Sequence, residues 1–351
     1  MIDLEPIVER AKVSEYFSGA RLGDDLERFL ESGGDRCVEI GRSLAGTEHL
    51  FLVGCGGSLA TLQTAKWAIE SQLETPCEAV HGYDLIWRAP ARLRPGAAAV
   101  FASYSGETED TVAALRFARE RGVRTIAIVR GGESTLAREA DETIAYESAA
   151  IFEAPIAAVV QLAAGVAAAG PGGAGLATLV DALRQVPAAA RAAYEIEEGR
   201  AEARARSFLS SRHLYVLGAG PLAPLAYKVA LTVVMENIRI GGTWLDASEF
   251  RHGPAEGLER SQVDALVLLG TDPSRAMVER TLAFLNDHGA RTLTMDARDY
   301  PEVHPSLTPL VLNLVTQWFT VWSAALRGIT DLDDRVFMGR HMLAEGGHRW
   351  P

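Results

Sequence analysis

The sequence predicts an α/β protein of two flavodoxin-like domains, near residues 1–180 and 190–351, each with a parallel central sheet flanked by helices. Three observations predict it. Short apolar runs that read as buried strands alternate with helical patterns of about 10–15 residues. Two of these runs end in turns of small or hydroxylic residues, at 54–58 and 103–108. The pattern then returns: Tyr215-Val216-Leu217-Gly218-Ala219-Gly220 copies Phe51-Leu52-Val53-Gly54-Cys55-Gly56 at an offset of 164 residues, and residues 265–270 lie 164 after residues 101–106. Residues 287–293 (DHGARTL) likewise repeat 120–126 (ERGVRTI). Matched strands and turns in the same order indicate two copies of one domain.

Taken in order, residues 1–47 are polar and helical in pattern, with Leu22, Leu26, Phe29 and Leu30 on one face. Residues 49–53 form an apolar strand that runs into Gly54-Cys55-Gly56-Gly57-Ser58. A helix over 59–73 and a short strand over 75–80 follow. The run Ala97-Ala98-Ala99-Val100-Phe101-Ala102 is a second buried strand, and residues 111–119 are helical. Thr125-Ile126-Ala127-Ile128-Val129 is the next strand. Residues 154–180 are uncharged, but they are rich in alanine and glycine and broken at Gly170-Pro171, which predicts a buried helix and a loop rather than a membrane span. Residues 176–206 read as a connector of two helices broken at Pro187. The second copy opens with the strand at 215 and a helix over 222–237, almost wholly apolar after Lys228.

The chain has 351 residues, 48% hydrophobic, with a formal charge of −12. It can therefore bury sizeable cores, and its acidity argues against a nucleic-acid or membrane-surface partner. The three cysteines, Cys37, Cys55 and Cys77, show no CxxC spacing, which predicts a reducing, cytoplasmic setting without disulfides or zinc. No basic segment followed by an apolar one opens the chain, so no secretory signal is expected.

The turn Ser103-Tyr104-Ser105-Gly106-Glu107-Thr108 sits where a strand ends and a helix begins. Unpaired N–H groups and the positive end of the helix dipole suit an anion there. Gly106 allows close approach of the backbone, and Ser103, Ser105 and Thr108 add hydroxyl donors. Serine, threonine and glutamate are also ordinary helix-capping residues, so the turn alone does not decide between a cap and a phosphate cradle. The corresponding stretch of the second copy, Leu269-Gly270-Thr271-Asp272-Pro273, lacks the hydroxyl pattern.

Two stretches of the second copy carry titratable groups. Glu236 closes the apolar helix, where a carboxylate is either paired or functional. His252, in Ser248-Glu249-Phe250-Arg251-His252-Gly253-Pro254, is expected in a turn, within reach of solvent or a ligand. Gly218-Ala219-Gly220-Pro221-Leu222-Ala223 fits the dinucleotide pattern, but the sequence offers no evident acid at the end of a second strand, so a nicotinamide cofactor is not expected. Glu249, His252 and Glu256 are interrupted by Gly-Pro and do not suggest a metal site.

Together, the Gly54–Ser58 turn, the Ser103–Thr108 turn, Glu236 and the Glu249-Phe250-Arg251-His252-Gly253-Pro254 loop resemble the tandem sugar isomerase (SIS) domain proteins. The likeness is greatest to the fructoselysine-6-phosphate and related fructosamine-phosphate deglycases and to the isomerase half of glucosamine-6-phosphate synthase. It extends from about Leu50 to Asp334-Arg335-Val336-Phe337-Met338-Gly339-Arg340, which is similar to the deglycases' closing segment. The resemblance implies that Gly56, Gly57, Ser58, Ser103, Tyr104, Ser105 and Thr108 hold a sugar 6-phosphate, with Glu249 also at the substrate. It implies that Glu236, 16 residues before His252, is the general base and that His252 handles ring or leaving-group protons. It further implies a homodimer whose site is shared between subunits, with no metal or organic cofactor. The lysine that precedes the synthase's catalytic glutamate by three residues is Val233 here, and the first copy starts near residue 50, leaving no room for a glutaminase domain. Synthesis of glucosamine 6-phosphate from glutamine is therefore disfavoured. These residues alone do not separate a deglycase from an aldose–ketose isomerase. The resemblance makes a fructosamine 6-phosphate deglycase the expectation and an aldose–ketose phosphosugar isomerase the alternative, while a non-catalytic phosphosugar sensor would leave Glu236 and His252 idle.

Overall fold

Two parallel sheets organise the computed structural model, which describes residues 4–14, 19–147 and 150–334. The first sheet holds β1 (His49–Gly54), β2 (Cys77–His81), β3 (Ala97–Ser103), β4 (Arg124–Arg130) and β5 (Glu142–Tyr146), in the order β2-β1-β3-β4-β5. The second holds β6 (His213–Gly218), β7 (Gly241–Asp246), β8 (Asp264–Leu269) and β9 (Arg291–Asp296), in the order β7-β6-β8-β9. Every strand pairing in both is parallel. The second sheet thus repeats the first strand for strand, short of the last.

Sheet register refines the internal repeat. Val53 pairs with Phe101, and Leu217 pairs with Val267. The first strands therefore correspond at an offset of 164 and the third strands at 166, two more than the sequence match of 265 with 101 implies. A slip of two residues leaves every side chain on the same face, so the apolar pattern could not reveal it.

β1, β3 and β8 are buried at every position, because helices cover both faces of the sheets. The helix Gly19–Ser43 buries Leu22, Leu26 and Phe29 and packs on the helix Glu153–Val166. Glycines allow that approach: a Cβ on Gly41 would stand 2.0 Å from the Leu162 carbonyl oxygen, and one on Gly165 2.2 Å from that of Val38. The helix Thr308–Leu326 is, with the turn before it, long and apolar enough to cross a membrane, yet 89% of its apolar window is buried in the protein. One core runs from Leu52 and Val100 of the first sheet to Val216 and Leu266 of the second, so the facing sides of the two sheets share it.

The connector contains three helices, Gly173–Leu183, Val186–Glu198 and Ala201–Ser207, and Pro187 begins the second rather than breaking one. The expected helix over 222–237 is also divided. A 3-10 turn at Gly220–Leu222 leads into an α-helix at Ala223–Lys228, and Val229–Ile238 winds as a π-helix, ending at Arg239 with φ of 61°. Its apolar residues Val229, Ala230, Val233 and Val234 are buried inside the chain. They provide no large surface for a partner. Nearby, only Met235 and Trp244 stand out as exposed large apolar side chains among the described residues.

Candidate active site

The carboxyl end of the first sheet opens on a cavity of about 340 Å³. Much of its wall comes from two places. Gly57, Ser58 and Thr61 lie on the first turns of the helix Gly56–Ile69, and Tyr104, Ser105 and Thr108 on the turn after β3. Lys228, Thr232, Val233, Glu236 and Asn237 come from the helix and π-helix of the second half. Residues 228, 232 and 236 recur at a spacing close to one π-turn, which keeps them on the cavity side. The two halves meet closely: a Cβ on Gly57 would lie 3.8 Å from the Thr232 methyl carbon.

The turn at 103–108 is held by its own hydrogen bonds. The Ser103 and Thr108 hydroxyls are 2.7 Å apart, and the Gly106 N–H donates to Ser103 Oγ at 3.0 Å. The Glu107 N–H donates to Ser105 Oγ at 3.2 Å, and the Glu107 carboxylate accepts from the Thr135 N–H at 2.7 Å. That N–H lowers the Glu107 pKa and anchors the turn to the next loop. Gly106 has φ of 65°, and a Cβ there would fall 2.0 Å from Ser134 Oγ, so only glycine fits. Ser103 is buried at the end of β3 and does not line the cavity.

The first helical turns at Gly56 and Glu109 add N–H groups without intrahelical acceptors. The turn has no cation of its own, but Arg130, at the end of β4, donates to the Tyr104 hydroxyl, and its guanidinium lies 5.2 Å from the ring centre. The sequence reading passed over Arg130, although its position at the end of the neighbouring strand could have signalled it.

From the second half, Glu236 opens on the same cavity. Lys228 does so too, and its ammonium donates to Asn313 Oδ1 at 2.6 Å. Asn313 Nδ2 in turn donates to Glu153 Oε1 at 2.7 Å. Burial pushes Glu153 up to about 7 and brings Lys228 down to about 8. This polar relay was not anticipated; its signal was a single charge in a long apolar run. Gln317, one helical turn beyond Asn313, also reaches the cavity.

His252 and Glu249 stand elsewhere. Both are exposed on the loop after β7, and neither lines the cavity that holds Glu236 of the same chain. The His252 N–H donates to the Glu249 carbonyl at 2.9 Å, and Arg251 Nε donates to His252 Nε2 at 3.0 Å. Gly253, with φ of 128°, permits the sharp turn. Gly56, with φ of 51°, shapes the entry to its helix and is not part of the cavity wall. The closing segment 335–340 lies outside the described residues.

Other groups near the sheet ends have partners within the fold. Cys55, His81 and Asp110 bring ligand-type atoms within 4.8 Å of one another. There His81 Nδ1 accepts from the Tyr83 N–H, and burial, with Asp110, pushes the Cys55 thiol up to about 12. In the second half, Asp246 ends β7, an acid the sequence reading did not place at a strand end because β7 itself went unread. Its carboxylate accepts from the N–H and hydroxyl of Ser248. A Cβ on Gly220 would lie 2.8 Å from the Ser274 hydroxyl oxygen and 2.9 Å from an Asp272 carboxylate oxygen, so an acid and a hydroxyl both approach the second glycine turn.

Comparison with known proteins bears on the family and the fold. Residues 43–169 match the SIS domain family model. The chain is 29% identical over 306 residues to the fructosamine deglycase FrlB of Bacillus subtilis, covering 84% of this chain and 90% of that protein. It is 27% identical over 295 residues to the fructoselysine 6-phosphate deglycase of Escherichia coli, covering 83% and 86%. Its fold superposes on a Bacillus subtilis crystal structure described as a phosphosugar isomerase with a TM-score of 0.79, at 28% identity over 86% of this chain and 96% of that one. Residues 43–169 thus match the SIS domain family, and the chain is similar over more than four-fifths of its length to a fructosamine deglycase and a fructoselysine 6-phosphate deglycase.

Proposed function

We propose that the protein is a deglycase that cleaves a fructosamine 6-phosphate to glucose 6-phosphate and a free amine. The observation that carries this reading is that Glu236 and the hydroxyls of Ser58, Ser105 and Thr108 open on one cavity. The two deglycase relatives, aligned over more than four-fifths of this chain, support the substrate class. The phosphate would sit on the cradle, held by hydroxyls and helix N-termini, with Arg130 behind Tyr104 drawing that hydroxyl's electrons inward.

The chemistry follows from the residue types. The substrate opens to its keto form. Glu236 takes a proton from C1 and returns one to C2, while the C2 oxygen gains a proton and the amine nitrogen loses one, which gives an aldimine between C1 and the nitrogen. Water adds to C1, the C–N bond breaks, and an aldose 6-phosphate and an amine leave. His252 would supply ring-opening and leaving-group protons. Since it lies outside its own chain's cavity, we assign it to the site of a neighbouring subunit in a cytoplasmic homodimer. In this reading the two domains, divided near residues 180–190, supply the cradle and the base respectively.

The test is a panel: glucose 6-phosphate release from several fructosamine 6-phosphates, against fructose 6-phosphate with and without ammonia. Release from the fructosamine compounds alone supports the deglycase. Turnover of simple phosphosugars alone overturns it in favour of an isomerase, for which the same proton transfers would serve.

A further inference from the structure

Among the described residues that line the cavity, Lys228 is the only lysine or arginine and Glu236 the only carboxylate. They reach it from one continuous helical segment, four residues on either side of Thr232, whose hydroxyl donates to the Lys228 carbonyl at 2.8 Å. The lysine is fixed in place. Its ammonium donates to Asn313 Oδ1 at 2.6 Å and lies 5.2 Å from the centre of the Phe152 ring. Asn313 is itself oriented by its bond to Glu153. A surface lysine that merely snorkels would not have this frame.

Removal of a C1 proton by Glu236 pushes negative charge onto the C2 oxygen. In a cavity with few other charges, a cation placed for that oxygen lowers the barrier far more than one in water. We propose that Lys228 is a further catalytic residue, which protonates the C2 oxygen as Glu236 deprotonates C1. The inference rests on the deglycase reading and extends it. The step balances. Glu236 gains the C1 proton and Lys228 loses one to O2, giving a neutral enaminol. Glu236 then protonates C2 while Lys228 takes the proton from the amine nitrogen, which leaves the aldimine and restores both groups. The C2 oxygen and the nitrogen are on adjacent carbons, so one ammonium can serve both.

Burial brings Lys228 down to about 8, opposed by the charges of Glu153, on the helix Glu153–Val166, and of Glu236, on its own segment. A group titrating there can both give and regain a proton at neutral pH.

The experiment compares wild type, Lys228→Met and Lys228→Arg by steady-state kinetics on a fructosamine 6-phosphate, by washout of deuterium from C1 into water, and by calorimetric binding of glucose 6-phosphate. Lys228→Met should lose on the order of 10²-fold in kcat and in washout, with glucose 6-phosphate binding changed less than about 3-fold. Lys228→Arg keeps the charge but cannot release a proton near neutrality. It should lose about 10-fold or more in kcat, and the alkaline fall of the kcat–pH profile should disappear. Retention of kcat within about 3-fold in the Met variant overturns the proposal. So does a loss of glucose 6-phosphate binding equal to the loss of turnover, which would make Lys228 a binding group only. If circular dichroism shows the Met variant unfolded, the arginine variant decides, and an unchanged rate and alkaline limb overturn the role. A wild-type protein that binds glucose 6-phosphate but turns over no fructosamine 6-phosphate marks failure of the deglycase reading itself, and this inference falls with it.

Discussion

The hydroxyl oxygens of Ser103 and Thr108 lie 2.7 Å apart and hydrogen-bond to each other across the turn after β3. Ser103 also accepts the Gly106 N–H, so it builds the turn without facing the cavity. Ser105 faces the cavity. Ser103→Ala should therefore cost about 1–3 kcal/mol in stability, since it leaves a buried N–H without its acceptor. Ser105→Ala should leave the melting temperature nearly unchanged and raise KM for the phosphosugar about 10-fold or more. Thermal melts and initial rates on both variants check this; the reverse ranking would remove the assignment of roles.

Gly106 makes a second prediction. A side chain there meets both Ser134 and a positive φ. Gly106→Ala should destabilise the protein by roughly 1–3 kcal/mol and weaken sugar-phosphate binding, because the cradle's N–H groups move. Combining it with Ser134→Gly removes the clash but not the φ strain, so recovery should be partial in both melts and binding titrations.

The strands that were legible in the sequence are the ones buried on both faces. β1, β3 and β8 are continuous apolar runs ending in marked turns, and they announce themselves. β5 and β7 do not. They are edge strands of the two sheets, and β7 begins with two glycines and ends in an aspartate. Its pairing with β6 is what makes it a strand, and pairing is not a local property. That the 103–108 turn and Glu236 would stand out was readable because turn chemistry and a charge in an apolar run are local signals, and both line one cavity. The Lys228–Asn313–Glu153 relay spans residues 160 apart in sequence at its last link, and only tertiary packing assembles it.

That relay predicts an unusual dependence of stability on pH. Glu153 is raised from 4.5 to about 7 in the folded chain, so between those values the folded state holds the extra proton. Stability is full below about 4.5 and falls as pH rises towards 7. Lys228 is lowered from 10.5 to about 8, so between 8 and 10.5 the unfolded state holds the extra proton. Its contribution therefore rises with pH over that range. The relay's combined contribution has a trough near pH 7–8. Glu153→Gln should flatten the acidic arm and Lys228→Met the alkaline arm when denaturant midpoints are measured from pH 5 to 10. Parallel curves for all three proteins would show that the pair does not titrate in this way.

The position of His252 gives the last prediction. It is exposed on the loop after β7, and its own chain's cavity contains Glu236 without it. If a neighbouring subunit completes each site, Glu236→Gln and His252→Ala homodimers should each lose about 10²-fold or more in turnover. Co-expressed with different affinity tags, the two variants yield heterodimers with one site carrying both lesions and one carrying neither. Such heterodimers should recover up to half the wild-type activity. The Glu236→Gln lesion removes the base but leaves the cradle, so its homodimer should still bind glucose 6-phosphate, which separates a chemical defect from a folding one. Purified heterodimers that bind the sugar phosphate yet stay inactive would assign His252 to its own subunit or to no catalytic role. Sedimentation of a wild-type monomer with full activity would remove the shared site altogether.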